Sequence, residues 1–351
     1  MHMADALISP AVGGTMWAAT AVLTVYSARK LKQEIDDRKI PLMGVLGALV
    51  FAAQMINFTI PGTGSSGHLG GGMLLAILLG PYAAFLTMAS ILTIQALFFA
   101  DGGLLALGCN IFNLGFFPCF VAFPFIYARI AANSRDRKRI LPAALAASII
   151  GLQLGAAGVV METVFSGISE LPFRTFVLLM QPLHLAIGIV EGLVTASLVG
   201  FVCKTRPEVL EMATGPARDK EISIKPVLIT LILIAAITGG LLSWFASANP
   251  DGLEWSVARI SGNKALENPE SSIHSLLSRV QEKLAILPDY DFRKQKTEGS
   301  AKSEGKKGKE DAWPSVSAGT SISGLLGGAM SLVLAGLIGF GIKIFQKRKS
   351  K

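Results

Sequence analysis

Apolar residues recur along this chain in blocks long enough to cross a lipid bilayer, and that recurrence restricts the fold more than any other feature. A hydrocarbon core of roughly 30 Å takes about 20 helical residues to span. Segments of this character run over 11–27, 41–57, 70–80, 82–99, 108–128, 141–161, 176–202, 226–247 and 321–345. The piece at 70–80 is short and closes on Gly80-Pro81, which predicts a half-span or an oblique helix. Its glycines, Gly70, Gly71 and Gly72, suit close contact between helices. Composition agrees, with 51% hydrophobic and 16% charged residues and a mean hydropathy of +0.54. A soluble chain carries about a quarter charged residues. Backbone groups in lipid must pair within the segment, so the expectation is an all-α polytopic membrane protein.

The net charge of +8 does not point to nucleic acid, because the basic residues sit in short clusters between apolar runs. Arg29, Lys30, Lys32, Arg38 and Lys39 fill the first connection, and Arg129, Arg135, Arg137, Lys138 and Arg139 fill another. Lys204 and Arg206 open a third, and Lys347, Arg348, Lys349 and Lys351 end the chain. The connections at 57–69 and 100–107 carry no Lys or Arg. Basic loops stay on the cytoplasmic side. With nine spans, the N-terminus and the stretches 57–69, 100–107 and 248–320 fall outside, and the C-terminus falls in the cytoplasm. The expected location is the inner, or cell, membrane of a prokaryote. The start MHMADALISP has neither a basic n-region nor a small-residue cleavage site after a short apolar run, so Met1 is expected to remain as the native terminus.

The chain divides into two parts. Residues 1–203 hold about seven helices with short connections, 204–225 form a charged cytoplasmic linker, and 226–351 form a two-helix accessory hairpin around an external segment. In that segment Ile273, Leu276, Leu277, Val280 and Leu284 fall on one helical stripe. The run RKQKTEGSAKSEGKKGKED (293–311) cannot support a packed core and reads as a flexible tether.

There are four histidines, and two of them, His2 and His68, belong to the same external face in this topology. A histidine in second position has a particular chemical option. The α-amine of Met1, the deprotonated amide of residue 2 and the His2 imidazole chelate one metal through five- and six-membered rings. Such a planar nitrogen set suits Ni(II) or Cu(II), and His68 is placed to supply a fourth nitrogen. The arrangement requires Met1 to be retained, which a bulky second residue favours, and it releases protons on binding. His68 sits in PGTGSSGHLGGG (61–72), whose glycines let backbone approach a ligand. Two plainer readings stand beside this: His2 as an exposed terminal residue, and the glycine loop as a re-entrant packing turn. As a phosphate cradle the loop fails, because GTGSSGH lacks the Lys-Ser/Thr ending, and no other such motif occurs. The three cysteines, Cys109, Cys119 and Cys203, lack paired spacing and read as small hydrophobes.

The start MHMADALISP, the loop QMINFTIPGTGSSGHLGGG (54–72) and QALFFADGGLLALGCNIFNLG (95–115) together resemble the CbiM/NikM family, the substrate-specific (S) components of energy-coupling factor transporters for cobalt and nickel. The resemblance covers roughly residues 1–203. It implies a metal held by the N-terminal amine, the amide and imidazole of the second residue and the loop histidine, hence Met1, His2 and His68. It also implies partners: a transmembrane coupling (T) subunit and cytoplasmic ATPase (A) subunits that hydrolyse ATP. The ion it implies is Ni²⁺ or Co²⁺, transported with no cofactor, and the resemblance of the 54–72 loop favours nickel. The segment SANPDGLEW (247–255) resembles the PDGLE domain of the NikN/CbiN type, here fused to the first part. Asp251 and Glu254 within it read as turn-forming and docking residues rather than metal collectors.

Asn57, Ser66, Asp101, Asn110 and Asn113 are candidates to orient the ligands, since ligand imidazoles hydrogen-bond through their second nitrogen. His184 and Glu191 share a face of one span and read as a structural pair away from the outer mouth. His274 reads as a solvated surface residue. The alternatives are a cobalt importer subunit serving cobalamin biosynthesis, a secondary cation carrier, and a membrane enzyme. A carrier needs an acidic relay for which only Glu191 and Glu162 are available, and an enzyme needs a carboxylate or HExxH cluster that is absent.

Overall fold

The computed structural model describes residues 2–132, 137–169, 171–214, 223–262, 271–293 and 313–349. Ser9 caps the first helix, α1 (Pro10–Glu34), by accepting the Val12 amide at 3.4 Å, and Pro10 occupies the first helical position. Then follow α2 (Lys39–Gln54), a small antiparallel hairpin of β1 (Phe58–Ile60) and β2 (Ser65–Gly67), α3 (Gly72–Leu79) and α4 (Pro81–Phe98). Helix α5 (Leu107–Ala131) is wound as a π-helix over Phe112–Tyr127, where Pro118 and Pro124 interrupt the usual backbone ladder. Helices α6 (Arg137–Ser166) and α7 (Phe173–Thr205) pack as a long antiparallel pair, and a short α8 (Glu208–Thr214) follows. The second part contributes α9 (Lys225–Gly240), α10 (Gly252–Ser261), α11 (Ser272–Leu284) and α12 (Ala318–Lys349).

The helical membrane class holds, but not all nine segments become full spans. Among the described residues five helices are long and apolar enough to cross: α4, α5, α6, α7 and α12. Helices α2 and α9 are apolar but only 16 residues each, about 24 Å at 1.5 Å per residue. Helix α1 has 25 residues, diluted in hydropathy by Gly, Thr and Ser. The half-span expected at 70–80 is the eight-residue α3, which stops at Gly80. Gly80 takes φ +80°, and a Cβ there would run into the carbonyl of Ala213 on α8. The tether at 293–311 lies outside the described residues apart from Arg293, as does part of the linker, 215–222.

The accessory hairpin is built into the bundle rather than beside it. Helix α2 is buried along almost its whole length, from Leu42 to Phe51, because α9 and α12 pack on it opposite α4. Small residues make this possible: a Cβ on Gly44 would lie 2.8 Å from the Leu332 carbonyl. Lys343 pairs with Asp37 at 2.5 Å, tying α12 to the α1–α2 turn at the end of the bundle where the basic clusters lie. At the opposite end the N-terminal segment, the β-hairpin, the 99–106 connection and α10–α11 converge.

Candidate metal centre

Residues 2–8 run into that second end and are pinned there. Met3 is fully buried; its amide donates to Asn110 Oδ1 at 2.8 Å, and its carbonyl accepts from Asn110 Nδ2 at 3.2 Å and from the Gly103 amide at 2.9 Å. Asp5 accepts the Ala106 amide at 3.0 Å, and the Ile8 carbonyl lies 3.0 Å from His274 Nε2. Gly102 is needed at the crossing, because with φ +80° a Cβ would sit 2.8 Å from Asn110 Nδ2 and 3.4 Å from His2 Cβ. The segment is therefore an ordered part of the site, which brings the His2 imidazole to the bundle end.

His68 meets it there. The rings of His2 and His68 are parallel within 7°, with centroids 5.0 Å apart. His68 Nδ1 lies 3.1 Å from its neighbour's carbonyl, that of Leu69. The loop after it is anchored by Glu191, whose carboxylate accepts the Gly70 amide at 2.7 Å and also faces the amides of Gly71 and Met73. Glu191 thus sits at the N-terminus of α3, where unpaired amides favour an anion.

Under both histidines lies a chain of amides. Gln54 Nε2 donates to the Gly70 carbonyl at 2.8 Å, and Gln95 Nε2 donates to Gln54 Oε1 at 2.9 Å. The Gln95 side chain in turn lies beside the His2 imidazole, whose Nε2 is buried without a hydrogen-bond partner, as is Gln95 Oε1. His2 Nδ1 faces Asp101 Oδ1 at 3.3 Å, and Tyr290 donates its hydroxyl to Asp101 Oδ2 at 2.5 Å.

Tyr290 belongs to the accessory part, as does the rest of the outer wall. The Ser66 amide donates to the Pro250 carbonyl at 2.8 Å, and Ser66 Oγ donates to the Asn249 carbonyl at 2.7 Å. The Ser247 amide donates to the Asn57 carbonyl at 2.7 Å, so the PDGLE segment docks against the β-hairpin. Asp251 and Glu254 form a capping box on α10, with the Glu254 amide donating to Asp251 Oδ1 at 2.8 Å. A cleft of about 880 Å³ opens between the parts, lined by His2, Asn57, His68, Asp101, Asp251 and Tyr290 among others.

Burial pushes the imidazoles of His2 and His68 down to about 3, so both are neutral and carry lone pairs at physiological pH. Burial pushes Asp101 up, against the pull of the Tyr290 hydroxyl. Burial also raises Asp251, but neighbouring positive charge and the Glu254 amide outweigh it and hold the carboxyl well below its ordinary value. Two neutral imidazoles beside acidic groups make a cavity that attracts a cation. Among the described residues no three His, Cys, Asp or Glu side chains form a metal-holding cluster.

Of the sequence candidates, His2, His68, Asp101 and Asn57 line the cleft. Met1 lies outside the described residues. Asn110 holds the N-terminal backbone, and Ser66 docks the accessory segment. Asn113 is elsewhere: its Nδ2 donates to Glu162 Oε2 at 2.7 Å within the helix pair α5–α6. His184 and Glu191 do not bond to each other. His184 Nδ1 pairs with the Met180 carbonyl at 2.8 Å, and the ring lines a small cavity shared with His68 and Asp251. Neither lines the cleft at the mouth, but the 68–72 loop reaches inward to both. His274 is 1% exposed rather than solvated, held between Ser271 and Ile8. Sequence reasoning missed Gln54, Gln95 and Tyr290. The two glutamines carried a signal, as large polar residues inside apolar runs.

Comparison with known proteins agrees with this architecture. Residues 2–209 match the family described as the cobalt uptake substrate-specific transmembrane region, CbiM, and residues 225–344 match the PDGLE domain. The fused nickel transport protein NikMN of Rhodobacter capsulatus is 33% identical over 315 residues, covering 83% of this chain and 88% of that protein. The cobalt transport protein CbiM of Sorangium cellulosum is 31% identical over 222 residues, 60% of this chain and 95% of that one. A crystal structure of a transition metal transporter superposes with a TM-score of 0.52 at 29% identity, covering 61% of this chain and 97% of that structure. The chain belongs to the CbiM family and carries a PDGLE domain fused behind its CbiM region.

Proposed function

We propose that this protein is the substrate-specific subunit of an ATP-driven energy-coupling factor importer that captures Ni²⁺, or Co²⁺, at the cleft. In this reading 1–203 is the metal-binding domain, 204–225 the cytoplasmic linker and 226–351 the accessory domain. The N-terminus and cleft face outward, and the basic connections and C-terminus face the cytoplasm. The ligands are the Met1 amine, the His2 amide and imidazole, and the His68 imidazole. The observation that carries the reading is the pinning of residues 2–8 so that His2 lies against His68 in a cleft whose described lining contains no Lys or Arg.

Square-planar nitrogen ligation favours nickel over cobalt, and copper over both, so ion availability contributes to selectivity. The fused nickel transport relative also favours nickel. Energy would come from separate ATPase subunits through a membrane coupling subunit.

The test is radioactive nickel uptake into vesicles containing the chain alone or with its coupling and ATPase partners. The reading expects ATP-driven accumulation only with the partners. Accumulation by the chain alone under a proton gradient would make it a secondary carrier.

A further inference from the structure

Of the apolar stripe of α11, only Leu277, at its inner edge, packs partly buried against the core. Ile273, Leu276, Val280 and Leu284 are 47%, 60%, 38% and 41% exposed, whereas His274 and Ala285 are buried and Gln281 is half-buried. At 3.6 residues per turn the helix has three faces. His274, Gln281 and Ala285 face the protein. The apolar stripe lies about a third of a turn to one side, Ser275, Arg279 and Glu282 lie about a third of a turn to the other, and Lys283 points directly away from the protein.

The height of the helix is fixed by hydrogen bonds to the end of a membrane-crossing helix. Gln281 Nε2 donates to the carbonyls of Ala96 at 2.9 Å and Gly102 at 2.7 Å. The amides of Ile286 and Leu287 donate to the Phe98 carbonyl at 2.9 and 3.2 Å. Ala96 and Phe98 are in the last turn of α4, so α11 lies level with the boundary between hydrocarbon and headgroups. Exposed aromatics mark the same end of the accessory hairpin, where Phe245 and Trp313 pack edge to face at 5.6 Å.

From these observations we infer that α11 is an interfacial helix, seated with Ile273, Leu276, Val280 and Leu284 in the bilayer surface at the cleft end. Protein, lipid and water then each meet the face that suits them, and Arg279 and Lys283 lie beside anionic headgroups. Ser278 and Gln281 line the cleft, so the bilayer anchors one wall of the site. The inference stands on the placement of α11 and does not depend on which ion the cleft holds.

The test is spin labelling of single cysteines introduced at Leu276, Val280, Ser275 and Glu282 in the full chain, in nanodiscs of phosphatidylethanolamine and phosphatidylglycerol. Cys109, Cys119 and Cys203 are buried, and the unmutated chain carried through labelling serves as the blank. All four positions are exposed, so the variants are expected to melt like the parent. Seating in lipid predicts that the ratio of oxygen to chromium oxalate accessibility is several-fold higher at 276 and 280 than at 275 and 282. Equal ratios at all four positions would overturn the inference in favour of a water-facing helix. Protection of 276 and 280 from both reagents would overturn it in favour of a protein partner or a second copy.

Discussion

Tyr290 donates its hydroxyl to Asp101 across 189 residues of chain, and the other oxygen of that carboxylate faces His2 Nδ1 at 3.3 Å. The accessory domain therefore reaches a proposed metal ligand through a single intervening side chain.

Tyr290→Phe keeps the ring stacked on Phe99, with centroids 5.1 Å apart, and removes only the hydroxyl. Asp101 faces the same Nδ1 that the six-membered chelate ring needs, so carboxylate and metal compete for it. Without the Tyr290 hydroxyl the carboxylate is more basic and holds that nitrogen harder, and titration calorimetry should show weaker nickel binding. Unchanged affinity would mean that Asp101 holds His2 no harder without Tyr290.

Much of this architecture is legible locally. Five long apolar helices follow from apolar run length, the break at Gly80-Pro81 from backbone chemistry, and the nearness of His2 to His68 from charge-derived topology. What is not legible depends on tertiary contacts with large sequence separation. Nothing near Tyr290 in sequence announces Asp101, and nothing near Gln54 announces Gly70 or Gln95. His274 looks like a polar residue on an amphipathic helix, and only the backbone of Ile8, 266 residues away, explains its burial. The stripe on α11 was visible as a pattern, but its period alone does not say whether protein or lipid covers it.

Glu191 holds the loop after His68 through the Gly70 amide. Glu191→Ala leaves buried donors unpaired and is expected to cost about 1–3 kcal/mol. Thermal melting of the metal-free protein should show this, and nickel affinity should fall with it. Glu191→Gln retains one acceptor oxygen and should lose less on both counts.

The docking of the accessory segment has its own test. Ser66→Ala removes the bonds to the Asn249 and Pro250 carbonyls, worth about 1 kcal/mol. Limited proteolysis should cut within 250–293 faster in the variant, while the helices of 1–203 stay protected.

Protonation sets a pH window. His2 and His68 move from 6.5 in the unfolded chain to about 3 in the folded one, through burial. Below 6.5 the unfolded chain takes up protons that the folded chain refuses. Their contribution to stability is full above pH 6.5 and is lost as pH falls toward about 3. The melting temperature of the metal-free protein should drop between pH 7.5 and 5, and His68→Gln should flatten that drop.

The central claim is an ion held by the amino terminus itself, and the most direct test is nickel titration of the native protein against one carrying a single Gly before Met1. The extension keeps both histidines and moves the amine out of chelating position. The account predicts about one nickel per chain for the native form, with proton release, and loss of that site in the extended form. Equal binding by the two would contradict it and would shift the site to His68 with His184 or a cleft carboxylate.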